Sequence, residues 1–145
     1  MAMYYFRQAE RLAVIEPDRQ SMTAEVLLNL TKALEIIFSS ERERLRLRAK
    51  EWGFDHNFIE QRIIPLFLIR NELDVAHVAS APLTREDHQS LIHFTSQAMT
   101  HVHNLLSQVV QLAYAGQIQL ESVSNALDKE KRKLLEAINT YVATP

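Results

Sequence analysis

Apolar residues recur along this chain at intervals of three and four, the spacing that gathers them on one face of a helix. Between Met3 and Ile15 they stand at Tyr5, Phe6, Ala9, Leu12 and Ala13, and Pro17-Asp18 then breaks the pattern, which predicts a first helix. A second is expected from about Asp18 or Ser21 to Phe38, with Leu27, Leu30, Leu34 and Ile37 on one stripe. Val26, Ala33 and Ile36 widen that stripe, and an apolar face so wide must touch several neighbours.

The turn signals divide the remainder. Ser40-Glu41-Arg42-Glu43 has the form of a capping box and Gly53 is placed to stop a helix, so a third is predicted from Glu41 to Trp52, with Leu45, Ala49 and Trp52 on its core side. Asn57-Phe58-Ile59-Glu60 offers another box for a fourth helix through Ile63, Leu66, Ile69 and Leu73. Pro65 lies inside it, lacks a backbone donor and should kink or restart it. Ser80-Ala81-Pro82-Leu83 breaks the pattern again. Thr84-Arg85-Glu86-Asp87 then opens a long helix with Leu91, Phe94, Ala98, Val102, Leu105 and Val109 along its seam, ending near Gly116. A last helix is expected from roughly Leu120 to Val142, its apolar positions Val123, Leu127, Leu134, Ile138 and Tyr141 flanking the charged run Asp128 to Lys133. No internal repeat or dividing linker interrupts the series. The expectation is an all-α protein, one antiparallel bundle of five to six helices spanning residues 1–145 as a single domain.

Composition agrees with that architecture. The chain has 145 residues, 47% of them hydrophobic, and only two glycines, too few for the special turns of a sheet protein. Its net charge of −2 draws it as a whole neither to nucleic acid nor to an acidic membrane, so any polyanion site must be a local patch. With no cysteine there is no disulfide framework, thiol nucleophile or thiolate metal site. The apolar runs fall short of the roughly 18 residues of a spanning helix, and Met1 to Tyr5 lacks the charged start of a secretory signal. A soluble, cytoplasmic protein without a membrane partner is expected.

Chemistry concentrates in Ile69-Arg70-Asn71-Glu72-Leu73-Asp74-Val75-Ala76-His77-Val78. Arg70 is a fixed cation whose planar fork suits phosphate oxygens, and His77 can exchange a proton near neutral pH. On a continuous helix the two would share a face but stand roughly 10 Å apart along the axis. Joint action on one phosphate therefore requires a helix break or a second copy across a two-fold axis. The plainer alternative is a polar face in which Asp74, four residues after Arg70 and three before His77, supplies weak ion pairs. None of the other five histidines has an Arg five to seven residues before it.

Arginine, a polar residue and a histidine six residues further on, near the end of a helix in a small α bundle, resemble the signature of HEPN (higher eukaryotes and prokaryotes nucleotide-binding) domains. Arg70, Asn71 and His77 match its positions, and the helix Ala24 to Glu35 is similar to the amphipathic helix that precedes the motif in many members. The resemblance spans roughly Ser21 to Leu112 and leaves residues 117–145 as a C-terminal helix. It implies a metal-independent endoribonuclease of the toxin or defence type, needing no cofactor, with a composite site at a homodimer interface. Single-stranded RNA would be cut by attack of the 2′-hydroxyl on the adjacent phosphorus. His77 would move the proton, Arg70 stabilise phosphate charge and Asn71 position the group. An antitoxin or a nucleotidyltransferase is the kind of partner implied. The alternative is a catalytically silent helical module that dimerises or binds protein or RNA.

Three further sets carry weaker signals. Arg42, Arg46 and Lys50 form an i,i+4 stripe suited to a phosphate backbone, or a solvated face balanced by Glu41, Glu43 and Glu51. His88, His93, His101 and His103 share one helix, but no cysteine or zincin spacing accompanies them and no metal site is expected. Tyr4, Tyr5 and Phe6 could stack bases, although aromatics opening a helix are more often core or dimer contacts.

Overall fold

The computed structural model describes residues 1–15, 23–72 and 84–121, with Arg132, Lys133 and Glu136. Its helices are α1 (Ala2–Ile15), α2 (Thr23–Ile37), α3 (Arg42–Glu51), α4 (His56–Phe58), a π-helical turn (Ile59–Ile63), α5 (Ile64–Glu72) and α6 (Arg85–Tyr114). Among the described residues there is no strand, and no helix is long and apolar enough to cross a membrane. The chain is an all-α helical bundle. The helix expected from Leu120 to Val142 lies outside the described residues, Leu120, Glu121, Arg132, Lys133 and Glu136 excepted.

The wide stripe of α2 forms the centre of the core. Val26, Leu27, Leu30, Ala33 and Leu34 are all buried, and α1, α5 and α6 pack around them. Full burial of a leucine side chain is worth about 1.5–3 kcal/mol, so Leu27, Leu30 and Leu34 together are a principal source of cohesion. Thr31 lies in the same interior because its hydroxyl donates back to the carbonyls of Leu27 and Leu28, at 3.1 and 2.9 Å. The hydroxyl of Thr95 on α6 does likewise to Leu91, at 2.7 Å.

Contacts along α1 fix its direction. Met1 to Met3 lie beside Leu106 to Val110 and beside Ile36 and Ile37, while further along α1 the Phe6 ring meets His103 and the Tyr5 ring meets Lys32. As numbers rise on α1 they fall on α2 and α6, so α1 runs antiparallel to both. From α6, Ala98, Val102, Leu105 and Val109 enter the core as its periodicity predicts and Leu106 joins them, while Leu91 and Phe94 of the expected seam are half-buried against it.

The helix ends show local chemistry at work. At Thr84 the capping box forms in full: its hydroxyl accepts from the Asp87 N–H at 3.1 Å and the Asp87 carboxylate accepts from the Thr84 N–H at 3.0 Å. The Thr84 hydroxyl, which also donates to the Asp87 carboxylate at 2.6 Å, and then the Thr84 N–H hold the Asp87 carboxyl below the usual carboxylate range. The Ser40 box does not form, because Glu41 is the N-cap and its side chain makes no capping bond; the Glu41 N–H instead donates to Ser39 Oγ at 3.1 Å. Nor is Asn57 the cap of the next helix. That role falls to Asp55, whose carboxylate accepts from the Phe58 N–H at 2.7 Å and starts the helix at His56.

Gly53 stops α3 in the left-handed conformation, φ 78°, which lets its own N–H reach Lys50 and the Phe54 N–H reach Ala49, at 3.1 and 2.9 Å. Trp52 and Phe54 close over Phe38, with ring centroids 5.2 and 6.1 Å away. The interruption expected at Pro65 takes the form of the π turn just before it. The Ile64 N–H bonds to Ile59, five residues back, where the widened turn meets a proline that has no N–H to donate.

Candidate functional site

Helix α5 places Arg70 by burying the residues before it. Ile63, Ile64, Leu66 and Phe67 are in the core, so the chain is anchored for nearly two turns before Arg70 reaches the bundle edge. The guanidinium is partly exposed, 29% against 20% for the Glu35 carboxylate, and its Nη1 donates to Glu35 Oε1. This pair ties α5 to α2. Asn71 is helical in α5, and its side chain lies outside what the structure describes. His77 and Asp74 also lie outside the described residues, and with them the Arg70 to His77 separation.

Glu35 is the residue that the reading of spacing did not find. It stands 35 positions before Arg70, so no periodicity links them. Its carboxylate fixes one edge of the guanidinium and cancels much of its charge, whereas the planar fork has five N–H donors, more than one carboxylate oxygen uses. The arrangement is at once a brace between helices and an oriented donor at the surface.

The basic stripe on α3 is occupied by carboxylates at its centre. Arg46 Nε and Nη2 donate to the two oxygens of Glu60 at 2.6 and 2.9 Å, and its Nη1 donates to Glu43 at 2.7 Å. The hydrogen bonds from Arg46, aided by its charge, hold the Glu60 carboxyl below the usual range. Arg44 pairs with Glu41 at 2.9 Å. Arg48 donates to the Ile37 carbonyl at 2.8 Å and to Glu121 at 2.9 Å, with its guanidinium 5.8 Å from the Trp52 ring centroid. Arg42 and Lys50 are exposed at the two ends of the stripe. Arg48 also borders a cavity of about 360 Å³ lined mainly by apolar side chains of α1, α2 and α6.

Three histidines of α6 have separate neighbours. His93 Nε2 is 2.9 Å from the Gln97 amide nitrogen, His101 meets the edge of Phe58 with centroids 5.9 Å apart, and His103 lies against Phe6 at 5.6 Å. Burial pushes the His101 pKa below its ordinary value, and the nearby charge of Arg62 adds to the shift. Among the described residues no group of three His, Asp or Glu side chains could hold a metal ion.

The aromatic set divides between core and surface. Phe6 is buried, Tyr5 is half-buried and Tyr4 is 57% exposed. The rings of Tyr4 and Tyr5 meet edge to face at 5.4 Å, and Lys32 Nζ stands 5.5 Å from the Tyr5 centroid.

Comparison with protein-family models, with curated proteins and with solved structures finds no match for this chain.

Proposed function

We propose that this bundle is a metal-independent endoribonuclease acting on single-stranded RNA, with Arg70, Asn71 and His77 contributed by each of two copies to a composite site. The observation that supports this reading is the position of Arg70: a partly exposed guanidinium at the edge of a buried helix, oriented by Glu35. In the reaction, the ribose 2′-oxygen bonds to the adjacent phosphorus and the bond from phosphorus to the 5′-oxygen breaks. One His77 takes the 2′-hydroxyl proton and the other supplies a proton to the leaving oxygen. Arg70 stabilises the charge that builds on the phosphate oxygens, and Asn71 donates to the same group. The products carry a 2′,3′-cyclic phosphate and a 5′-hydroxyl.

The test incubates purified protein with single-stranded RNA in a chelator, beside His77→Ala and Arg70→Ala variants of unchanged helicity. Cyclic-phosphate ends from the parent alone support the proposal; no cleavage, or equal cleavage by all three, removes it. A toxin role adds that expression should arrest growth and that an antitoxin or nucleotidyltransferase partner should relieve the arrest.

The Glu35 pair favours a second reading, a catalytically silent bundle in which Arg70 serves only to clamp α5 onto α2. There the parent cuts no RNA, and Arg70→Ala and Glu35→Gln lower stability by similar amounts.

A further inference from the structure

Arg44, Arg46 and Arg48 of α3 are taken by carboxylates, but the cations beside Tyr4 and Tyr5 are not. Among the described residues no carboxylate pairs with Lys32 or Arg7, and Lys32 is already held against the Tyr5 ring. Glu35 follows Lys32 by one turn on the same flank of α2, where side chains three apart are neighbours, and Glu35 holds Arg70. Contacts thus link Tyr4 to Tyr5, Tyr5 to Lys32 and Glu35 to Arg70, the step from Lys32 to Glu35 is one turn of α2, and Arg7 stands one turn beyond Tyr4 on α1.

Resting on the ribonuclease reading, we propose that this row is a track for single-stranded RNA leading to Arg70. A base stacks on the exposed face of Tyr4, Lys32 and Arg7 take backbone phosphates, and the strand reaches Arg70 one helical turn past Lys32. Aromatic faces alternating with cations suit single strands because every base has a face to stack and every linkage a charge. A duplex, with its bases already stacked, has no use for Tyr4. The carboxylate of Glu35 does not break the row, since Arg70 neutralises it.

The test measures binding of a fluorescein-labelled, 12-nucleotide single-stranded RNA, 2′-O-methylated so that it cannot be cut, by fluorescence anisotropy at several salt concentrations. Tyr4→Ala should weaken binding about fivefold or more. Lys32→Gln should weaken it and lower the slope of log affinity against log salt by about 0.7, the value for one phosphate contact on a single strand. Lys32→Arg should restore both, and circular dichroism checks that each variant is folded. Lys50→Gln on α3 is the comparison and should change little.

Parent protein that binds no RNA, or losses that fall on Lys50→Gln instead of Tyr4→Ala and Lys32→Gln, would overturn the track. Cleavage by the parent with KM unchanged in Tyr4→Ala and Lys32→Gln would overturn the track alone and leave the ribonuclease standing. Binding that follows the track with no cleavage would support the track and remove the ribonuclease.

Discussion

Separating Arg46 from Glu60 should cost about 1 kcal/mol of coupling energy, and that coupling should fade in acid. The pair is bidentate, at 2.6 and 2.9 Å, and joins α3 to the π turn across 14 positions of sequence. Hydrogen bonds to charged groups are worth about 1.5–3 kcal/mol when well shielded. Here the two side chains are 30% and 29% exposed, so solvent screening pulls the figure toward the upper end of the surface range, about 1 kcal/mol. The pair from Arg46 to Glu43, whose carboxylate is 82% exposed, adds only about 0.3–0.5 kcal/mol. A double-mutant cycle of Arg46→Met and Glu60→Gln, followed by urea unfolding, isolates the coupling. Its pH dependence has a definite sign. The Glu60 carboxyl titrates lower in the folded protein than in the unfolded chain, chiefly because Arg46 donates to it. The stabilisation is thus fully present above the unfolded value of about 4.3 and is lost as pH falls through the folded one. A coupling under about 0.3 kcal/mol at pH 7, or one that holds constant as pH is lowered below that range, would refute the assignment.

Leu30→Ala, at a fully buried position in the centre of α2, should destabilise the bundle by about 2–5 kcal/mol in urea unfolding, mostly through the cavity it leaves. Gly53→Ala meets no atom within 4 Å but must keep φ 78°, so it should cost about 1–2 kcal/mol by the same measurement. Thr84→Ala removes the hydroxyl half of the α6 capping box and should cost about 1 kcal/mol, with Asp87→Asn affecting the same helix end. Since His101 titrates lower when folded, its contribution is present above the unfolded value of about 6.5 and is lost as pH falls toward the folded one; His101→Gln should flatten stability across that window.

The helices were readable because their signals are local. A buried stripe repeats every three or four residues, and Leu27, Leu30 and Leu34, or Ala98, Val102, Leu105 and Val109, declare it without reference to the rest of the chain. Gly53 and Gly116 were readable for a related reason: both stop helices in the left-handed conformation that glycine adopts without strain. The capping boxes proved less reliable. Neither segment read as a box, Ser40 to Glu43 or Asn57 to Glu60, makes one, and the box that forms lies at Thr84, which was read only as a helix start, because Ser, Thr, Asn and Asp residues are frequent near helix starts and compete for the same N–H groups. At His56, Asp55 wins over Asn57 by standing where Phe58 can be reached. The π turn had its cause in view at Pro65, but a proline allows a kink, a restart or a widened turn, and which of these forms depends on the packing of Ile59 and Ile63.

Ion-pair partners obey a different rule, and this limited how far the site could be read. Spacing suggests pairs within one helix, such as Arg46 with Glu43 three residues before it, and those are the exposed and weaker ones. The pairs that tie elements together join Arg70 to Glu35, Arg46 to Glu60 and Arg48 to Glu121, at sequence distances that carry no signal. Each changes what its arginine can do. A cation counted from the sequence as ready for phosphate is, in the fold, already facing a carboxylate, so net charge along a stripe overstates its attraction for RNA. The same correction works in reverse for Tyr4 and Lys32, which sequence places in an ordinary amphipathic helix start and mid-helix. Packing turns Phe6 inward, leaves Tyr4 outside and sets Lys32 against Tyr5, so an exposed tyrosine and a lysine with no carboxylate partner among the described residues lie on α1 and α2, apart from the arginine-rich helix.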